Sequence, residues 1–351
     1  MSSAPLHPRS LASPRLIVAI TGANGFVGGE IARLHLERGD EVRALSRRGG
    51  PADAQTTGLS WHTADLANDA LGTDDALRRF VDGADIVYHA AAELADPARM
   101  HATNVEGSIR LARAALGRIG AFLQVSSVGV YGPGRGRRIN ERTPPAPVNP
   151  YERSKALADA ELTRLATESG LDLRILRPSN VIGARMVNGS FRALVDAVRR
   201  GRFIEIVSEG AMSTYVDVRD VARAAQLVAT RPSARGRIYD VSCDCPWTDL
   251  LRAIEDAVGA RRRSLRAPLL PMRALARIGD LARLAGFRRV PLTTSRLEAL
   301  ISRTSYPSTR LREELGFAFE RPMPDAAAEL ARQWTGQDPH AGARRARRAK
   351  T

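Results

Sequence analysis

Apolar residues in the first half of the chain fall into short continuous runs, separated by segments of helical period. Residues 15–20 (RLIVAI) read as a strand buried on both faces, because nothing polar interrupts the run after the arginine. Residues 29–39 (GEIARLHLERG) place Ile31, Leu34 and His35 on one helical face and stop at Gly39, a residue suited to a left-handed cap. The alternation continues with strands at 41–47, 84–91, 121–128 and 171–179, and with helices at 74–83, 102–116 and 151–170. Strand and helix alternating about six times predict an α/β fold with a doubly wound parallel sheet.

After Pro178 the rhythm breaks. Helices are expected at 191–202 and within 214–230, a strand at 236–242, and mostly helix from Trp247 to Trp334. The expected division is a dinucleotide-binding domain over 15–180 and about 215–245. A smaller, mostly helical substrate domain covers about 181–214 and 246–335. Residues 1–14 read as a flexible leader without the apolar core of a signal peptide, and 336–351 as an Arg-rich disordered tail. No apolar run reaches membrane-spanning length, so a cytoplasmic protein without integral membrane contact is expected.

Composition changes this picture little. Of 351 residues, 44% are hydrophobic, enough for a full core. The formal charge is +15, but the arginines are scattered and aromatics make up only 5%. A solvated basic surface is expected rather than a nucleic-acid partner, and it would draw anionic substrates. Cys243 and Cys245 form a lone pair without neighbouring ligands, so no metal site is expected.

Candidate chemistry begins at the first strand–helix junction, where residues 21–28 read TGANGFVG. Gly22 permits a tight turn, Gly25 lets the backbone approach a pyrophosphate at the helix N-terminus, and Gly28 allows close packing. The end of the second strand carries Ser46, Arg47 and Arg48 and no acid. Arginine there accommodates a 2′-phosphate, so NADP is expected in preference to NAD.

The chain holds 53 Lys plus Arg, yet only Lys155 and Lys350 are lysine. Lys155 lies four residues after Tyr151, behind an Asn149-Pro150 pair that should cap and start a helix. The two side chains then share a face. An ammonium beside a phenol, whose ordinary pKa is about 10, favours the phenolate and brings it closer to working pH. A compact ammonium can also bond ribose hydroxyls, which a planar guanidinium does less well. Upstream, Ser126 and Ser127 end a strand and offer a hydroxyl to the same reacting oxygen.

Together these residues resemble the extended short-chain dehydrogenase/reductase family, the NAD-dependent epimerase/dehydratase family. Its marks are residues 21–28, Asp65-Leu66, HAAA at 89–92, Asn104, SSVGVYG at 126–132, Tyr151-x-x-x-Lys155, LRPSNVIG at 176–183 and YVDVRDVA at 215–222. The resemblance implies a Rossmann domain and a homodimer. It implies Ser127, Tyr151 and Lys155 as catalytic residues. For the cofactor it implies Gly22, Asn24, Gly25, Phe26, Val27, Gly28, Asp65, Leu66, Ala90, Ala91, Ala92, Asn104, Pro178 and Val181, besides Arg47 and Arg48. Glu93, Asn180, Arg185 and Arg192 join Ser127 as candidate substrate contacts. Two features depart from the family. Val128 and Gly129 replace the Asp-Glu pair of its dehydratases, which disfavours dehydration. Ser213 stands where many members carry an arginine for a substrate diphosphate.

The expected activity is hydride transfer at a secondary alcohol or ketone, with Tyr151 as general acid/base. A nucleotide sugar is the preferred small-molecule substrate, through 4-keto reduction or 4-epimerisation in polysaccharide biosynthesis. The alternatives are a 3β-hydroxysteroid dehydrogenase-like or dihydroflavonol reductase-like enzyme, and a non-catalytic NADP sensor. Residues 268–287 (PLLPMRALARIGDLARLAGF) read first as a core-facing helix; sheltering an apolar substrate or touching a membrane surface is the other reading.

Overall fold

The computed structural model describes residues 14–50, 56–68, 73–134, 136–186, 189–206, 208–260, 265–287, 290 and 292–336. The expected leader, except Pro14, and the expected tail, except Gly336, lie outside the described residues. Seven strands, β1 (Ile17–Thr21), β2 (Glu41–Ser46), β3 (Leu59–Thr63), β4 (Ile86–His89), β5 (Ala121–Val125), β6 (Leu173–Pro178) and β7 (Ile238–Val241), form one sheet. Its order is β3-β2-β1-β4-β5-β6-β7, and every pairing is parallel. This is the Rossmann-type sheet, and its strand order reverses between β1 and β4, where such sheets open a crevice.

The main helices are α1 (Phe26–Arg38), α2 (Thr73–Val81), α3 (Gly107–Ala115), α4 (Pro150–Ser169), α5 (Ser190–Arg199), α6 (Val218–Thr230), α7 (Trp247–Ala257), α8 (Leu269–Leu284), α9 (Thr294–Ile301), α10 (Thr309–Leu315) and α11 (Met323–Thr335). Alternate strand residues face opposite sides of the sheet. Ile20, Val42 and Leu123 pack with Ile31 of α1, Val221 and Val228 of α6 and Leu311 of α10. Ala19, Val87 and Phe122 pack with Phe80 of α2, Leu111 of α3 and Leu162 of α4. A separate core joins Phe191 of α5, Trp247 and Ile254 of α7, and Ala327 and Leu330 of α11.

Three local features differ from the sequence expectation. β3 was not expected: its half-buried LSWHT has no apolar run, and pairing with β2 at the sheet edge makes it a strand. The helix expected over 102–116 begins as a π-helical segment, His101–Glu106, before α3. α10 and Phe317 pack on the sheet core, although they fall in the stretch assigned to the substrate domain.

Candidate active site

β1 delivers the chain into the glycine turn. Gly22 adopts φ +70°, and a Cβ there would lie 2.8 Å from the Ala91 backbone nitrogen, so the turn lies against the end of β4. A Cβ on Gly28 would lie 2.3 Å from the Gly22 carbonyl oxygen. Gly28→Ala is therefore expected to force the turn off the helix start. Stability should drop by about 1–3 kcal/mol in a thermal melt, as overpacking does, and dinucleotide titration should show binding weakened at least tenfold.

The turn opens onto a cavity of about 840 Å³ along the carboxyl ends of the strands. Of the residues singled out in the sequence, Gly22, Asn24, Gly25, Phe26, Val27, Gly28, Arg47, Arg48, Asp65, Leu66, Ala90, Ala91, Ala92, Glu93, Ser127, Tyr151, Pro178 and Val181 line it. Thr103, Ser126 and Ser179 line it too. The Thr103 and Ser179 hydroxyls are buried without a protein partner, which suits a polar ligand in this cavity. The sequence reading missed both as cavity groups; single hydroxyls beside a motif give no periodic signal.

Other candidates hold the walls instead. Asn104, 1% exposed, accepts from the Glu93 backbone N–H at 2.7 Å. It donates to the Glu93 carbonyl at 3.0 Å and to Ser154 Oγ at 2.9 Å. It thus ties the loop after β4 to α4 from within the π-helical segment. The Glu93 carboxylate accepts from the backbone N–H groups of Leu94, Ala95 and Asp96, which hold it below the usual carboxylate range. Asn180 bonds the Thr214 carbonyl, and Arg192 stacks on Trp334 at 5.8 Å. The Arg185 guanidinium lies 3.8 Å from where a Gly29 Cβ would sit, beside the first turn of α1. None of Asn104, Asn180, Arg185 and Arg192 lines the cavity.

α4 begins at a capping box: Asn149 accepts from the Glu152 N–H, Glu152 reaches back to Asn149, and Pro150 occupies the first helical position. This start directs Tyr151 into the cavity and Lys155 beneath it. Lys155 is 2% exposed, and its Nζ donates to the Val125 carbonyl at 2.7 Å. Burial pushes its pKa down to about 8, against the pull of Asp159. Ser127 caps the short turn Val128–Tyr131, its Oγ accepting from the Gly129 N–H at 3.0 Å.

The phenol departs from expectation. Burial, and then the Asp159 charge, push Tyr151 up to about 12. Desolvation dominates here and outweighs any pull from the Lys155 ammonium.

Behind this pair lies a buried polar network. Asp159 Oδ2 accepts from Ser126 Oγ at 2.8 Å and from Arg177 Nε and Nη2 at 3.1 and 2.9 Å. Arg177 Nη1 donates to the Tyr131 hydroxyl at 2.9 Å, and Tyr131 donates to Asp240. Ser126 therefore faces the network, while Ser127 keeps a hydroxyl hydrogen for the cavity. Burial and the nearby Glu141 raise Asp240 to about 7, opposed by the Tyr131 bond, Arg177 and Arg310. The fold thus retains a proton that an unfolded aspartate releases near about pH 3.9. That stabilisation is complete below the unfolded value and is lost as pH rises through the folded one. Between about pH 5 and pH 8 the melting temperature of the wild type should therefore fall relative to Asp240→Asn. A constant difference would remove Asp240 as the cause.

Elsewhere, His89 is wedged between Thr21 Oγ1 at 2.7 Å and Ser108 Oγ at 2.8 Å, and burial holds it neutral, down at about 3. Cys243 and Cys245 are free thiols, raised by burial to about 11 and about 12. Among the described residues no cluster of metal-ligating side chains occurs.

The sequence profile of the NAD dependent epimerase/dehydratase family matches residues 18–242. The chain belongs to this family. Sterol demethylase protein B of Methylococcus capsulatus is 30% identical over 313 residues, spanning 85% of this chain and 92% of that protein. A dTDP-glucose 4,6-dehydratase of Streptomyces griseus is 30% identical over 267 residues, spanning 69% of this chain and 78% of that protein. The structure of WbmG from Bordetella bronchiseptica with NAD and UDP superposes with a TM-score of 0.69 at 21% identity, covering 93% of this chain and 97% of that one. At that identity the likeness concerns the fold. The family is one of NAD-dependent enzymes, and the glycine turn, the cavity and the two unpartnered hydroxyls suit a dinucleotide.

Proposed function

We propose that this protein is an NADP-preferring oxidoreductase acting on a secondary alcohol or ketone of a largely apolar substrate. The observation that carries the reading is that Tyr151 and Ser127 face the same cavity as the glycine turn, with Lys155 buried beneath. A bound nicotinamide cofactor would supply or accept the hydride. Ser127 already accepts from Gly129, so its own hydroxyl hydrogen is directed to the substrate oxygen. Tyr151 donates a proton to that oxygen in reduction and takes it back in oxidation. Lys155, protonated below about pH 8, supplies the positive charge that favours the phenolate. Asn104 and the capping box fix the loop and the helix that carry these groups. Val128 and Gly129 offer no carboxylate for eliminating water, which supports oxidoreduction over dehydration.

The apolar substrate replaces the nucleotide sugar preferred in the sequence reading. Arg47 and Arg48, at the end of β2, are the cationic side chains lining the cavity. Arg185 and Arg192, the cationic candidates for substrate contact, are not among its lining residues. The alignment with a sterol demethylase protein runs through the C-terminal region as well as the sheet. Arg47 and Arg48 support the NADP preference, since they can meet a 2′-phosphate.

The test is a turnover assay with NADPH and NADH against steroid ketones and UDP-4-keto sugars. Steroid-ketone reduction with NADPH is expected, and Arg47→Ala/Arg48→Ala should raise the KM for NADPH at least tenfold while leaving that for NADH nearly unchanged. Turnover of the sugar alone would contradict the substrate class, and equal effects on both cofactors would contradict the preference.

A further inference from the structure

α8 carries most of its large apolar residues on the side that faces away from the protein. Leu270, Ile278, Leu281 and Leu284 are 80%, 61%, 65% and 85% exposed, and Phe287, just past the helix, is 67% exposed. With Ala274 they follow helical spacing along one face. The opposite row, with Met272, Ala276 and Gly279, packs toward Ile206, Leu292, Leu297 and Ile301. The sequence reading placed this segment facing the core; Leu269, Met272, Ala276 and Gly279 do so, and the leucine row does not. The rotation of the helix is fixed by Gly279, where a Cβ would lie 1.9 Å from the Leu292 carbonyl oxygen. It is fixed again by Asp280, which accepts from the Thr294 N–H. The leucine row cannot turn inward without breaking both contacts.

The charge around this face has one sign. Arg273 and Arg277, beside the leucine row, are exposed, and among the described residues neither has an acidic partner. The one acid of the helix, Asp280, is the group turned toward Thr294. A second copy on this face would set Arg277 and its neighbours against themselves, in a chain of formal charge +15. An anionic surface would gain from every one of these cations.

We propose that α8 docks this protein on an anionic lipid bilayer. The helix lies in the plane of the interface, its leucine row and Phe287 among the acyl chains and its arginines against headgroup phosphates. Its 16 residues do not cross: no helix among the described residues is long and apolar enough to span a membrane. The proposal rests on this helix alone and stands apart from the substrate reading.

Flotation of the full chain with vesicles tests it. Vesicles of equal phosphatidylglycerol and phosphatidylcholine should carry at least tenfold more protein than vesicles of phosphatidylcholine alone. Leu281→Glu/Leu284→Glu should abolish flotation while the thermal shift with NADP persists, which shows that the variant is folded. Arg273→Gln/Arg277→Gln should remove the preference for phosphatidylglycerol. Three outcomes would each overturn the proposal: no flotation of the wild type, flotation unchanged in the α8 variants, or a wild-type dimer that the leucine variant dissociates without any vesicle binding.

Discussion

Tyr151→Phe is expected to reduce turnover by about 10²–10⁴-fold, the usual contribution of a positioned general acid. Dinucleotide affinity and melting temperature should change little. The phenol ring lines the cavity beside Ser127, and no side-chain hydrogen bond from its hydroxyl to the protein is seen among the described residues. Removing the oxygen therefore strands no buried partner, and phenylalanine keeps the packing. The loss should appear in kcat and kcat/KM together, as for an interaction made in the transition state. A variant that binds cofactor and still turns over at the wild-type rate would leave the site as a binding module, the sensor reading considered from the sequence.

Asp159→Ala should have the largest effect on stability. Asp159 and Arg177 side chains are each 5% exposed and paired at 2.9 Å. Removing the carboxylate leaves a buried guanidinium without its counter-charge, a change that costs about 3–5 kcal/mol in comparable pairs. It also frees Ser126 Oγ and removes the charge that holds the Lys155 proton. Lys155 should then deprotonate at lower pH than its present value of about 8, so activity should fall off earlier on the alkaline side. Chemical denaturation reads the first effect and the pH–rate profile the second. A stable variant with an unshifted profile would mean that the network does not support the site. Asp159→Glu, which keeps the charge, should restore part of both.

What the sequence displayed follows from how local each feature is. The glycine turn, the capped start of α4 and the Tyr151–Lys155 spacing are consecutive residues whose geometry is set by backbone rules, so they could be read directly. β3 could not, because a five-residue edge strand with two large apolar residues takes its identity from pairing with β2. Asp159, Arg177, Tyr131 and Asp240 come from four separate stretches and meet only in the fold. The outward face of α8 was hidden for a related reason. Its period looked like that of any amphipathic helix, and which side faces inward is decided by the Gly279 contact with Leu292. The upward shift of Tyr151 likewise depends on burial, which residue spacing does not report.

Lys155 and the positive ring of an oxidised nicotinamide both favour a phenolate, so cofactor binding should reverse the direction in which burial drives Tyr151. Ultraviolet titration of tyrosinate, wild type minus Tyr151→Phe, with and without NADP⁺, measures this most directly. The free protein should titrate at about 12, and the complex below the ordinary tyrosine value of about 10. A complex whose Tyr151 titrates no lower than the free protein would contradict the assignment of Tyr151 as the proton-exchanging group.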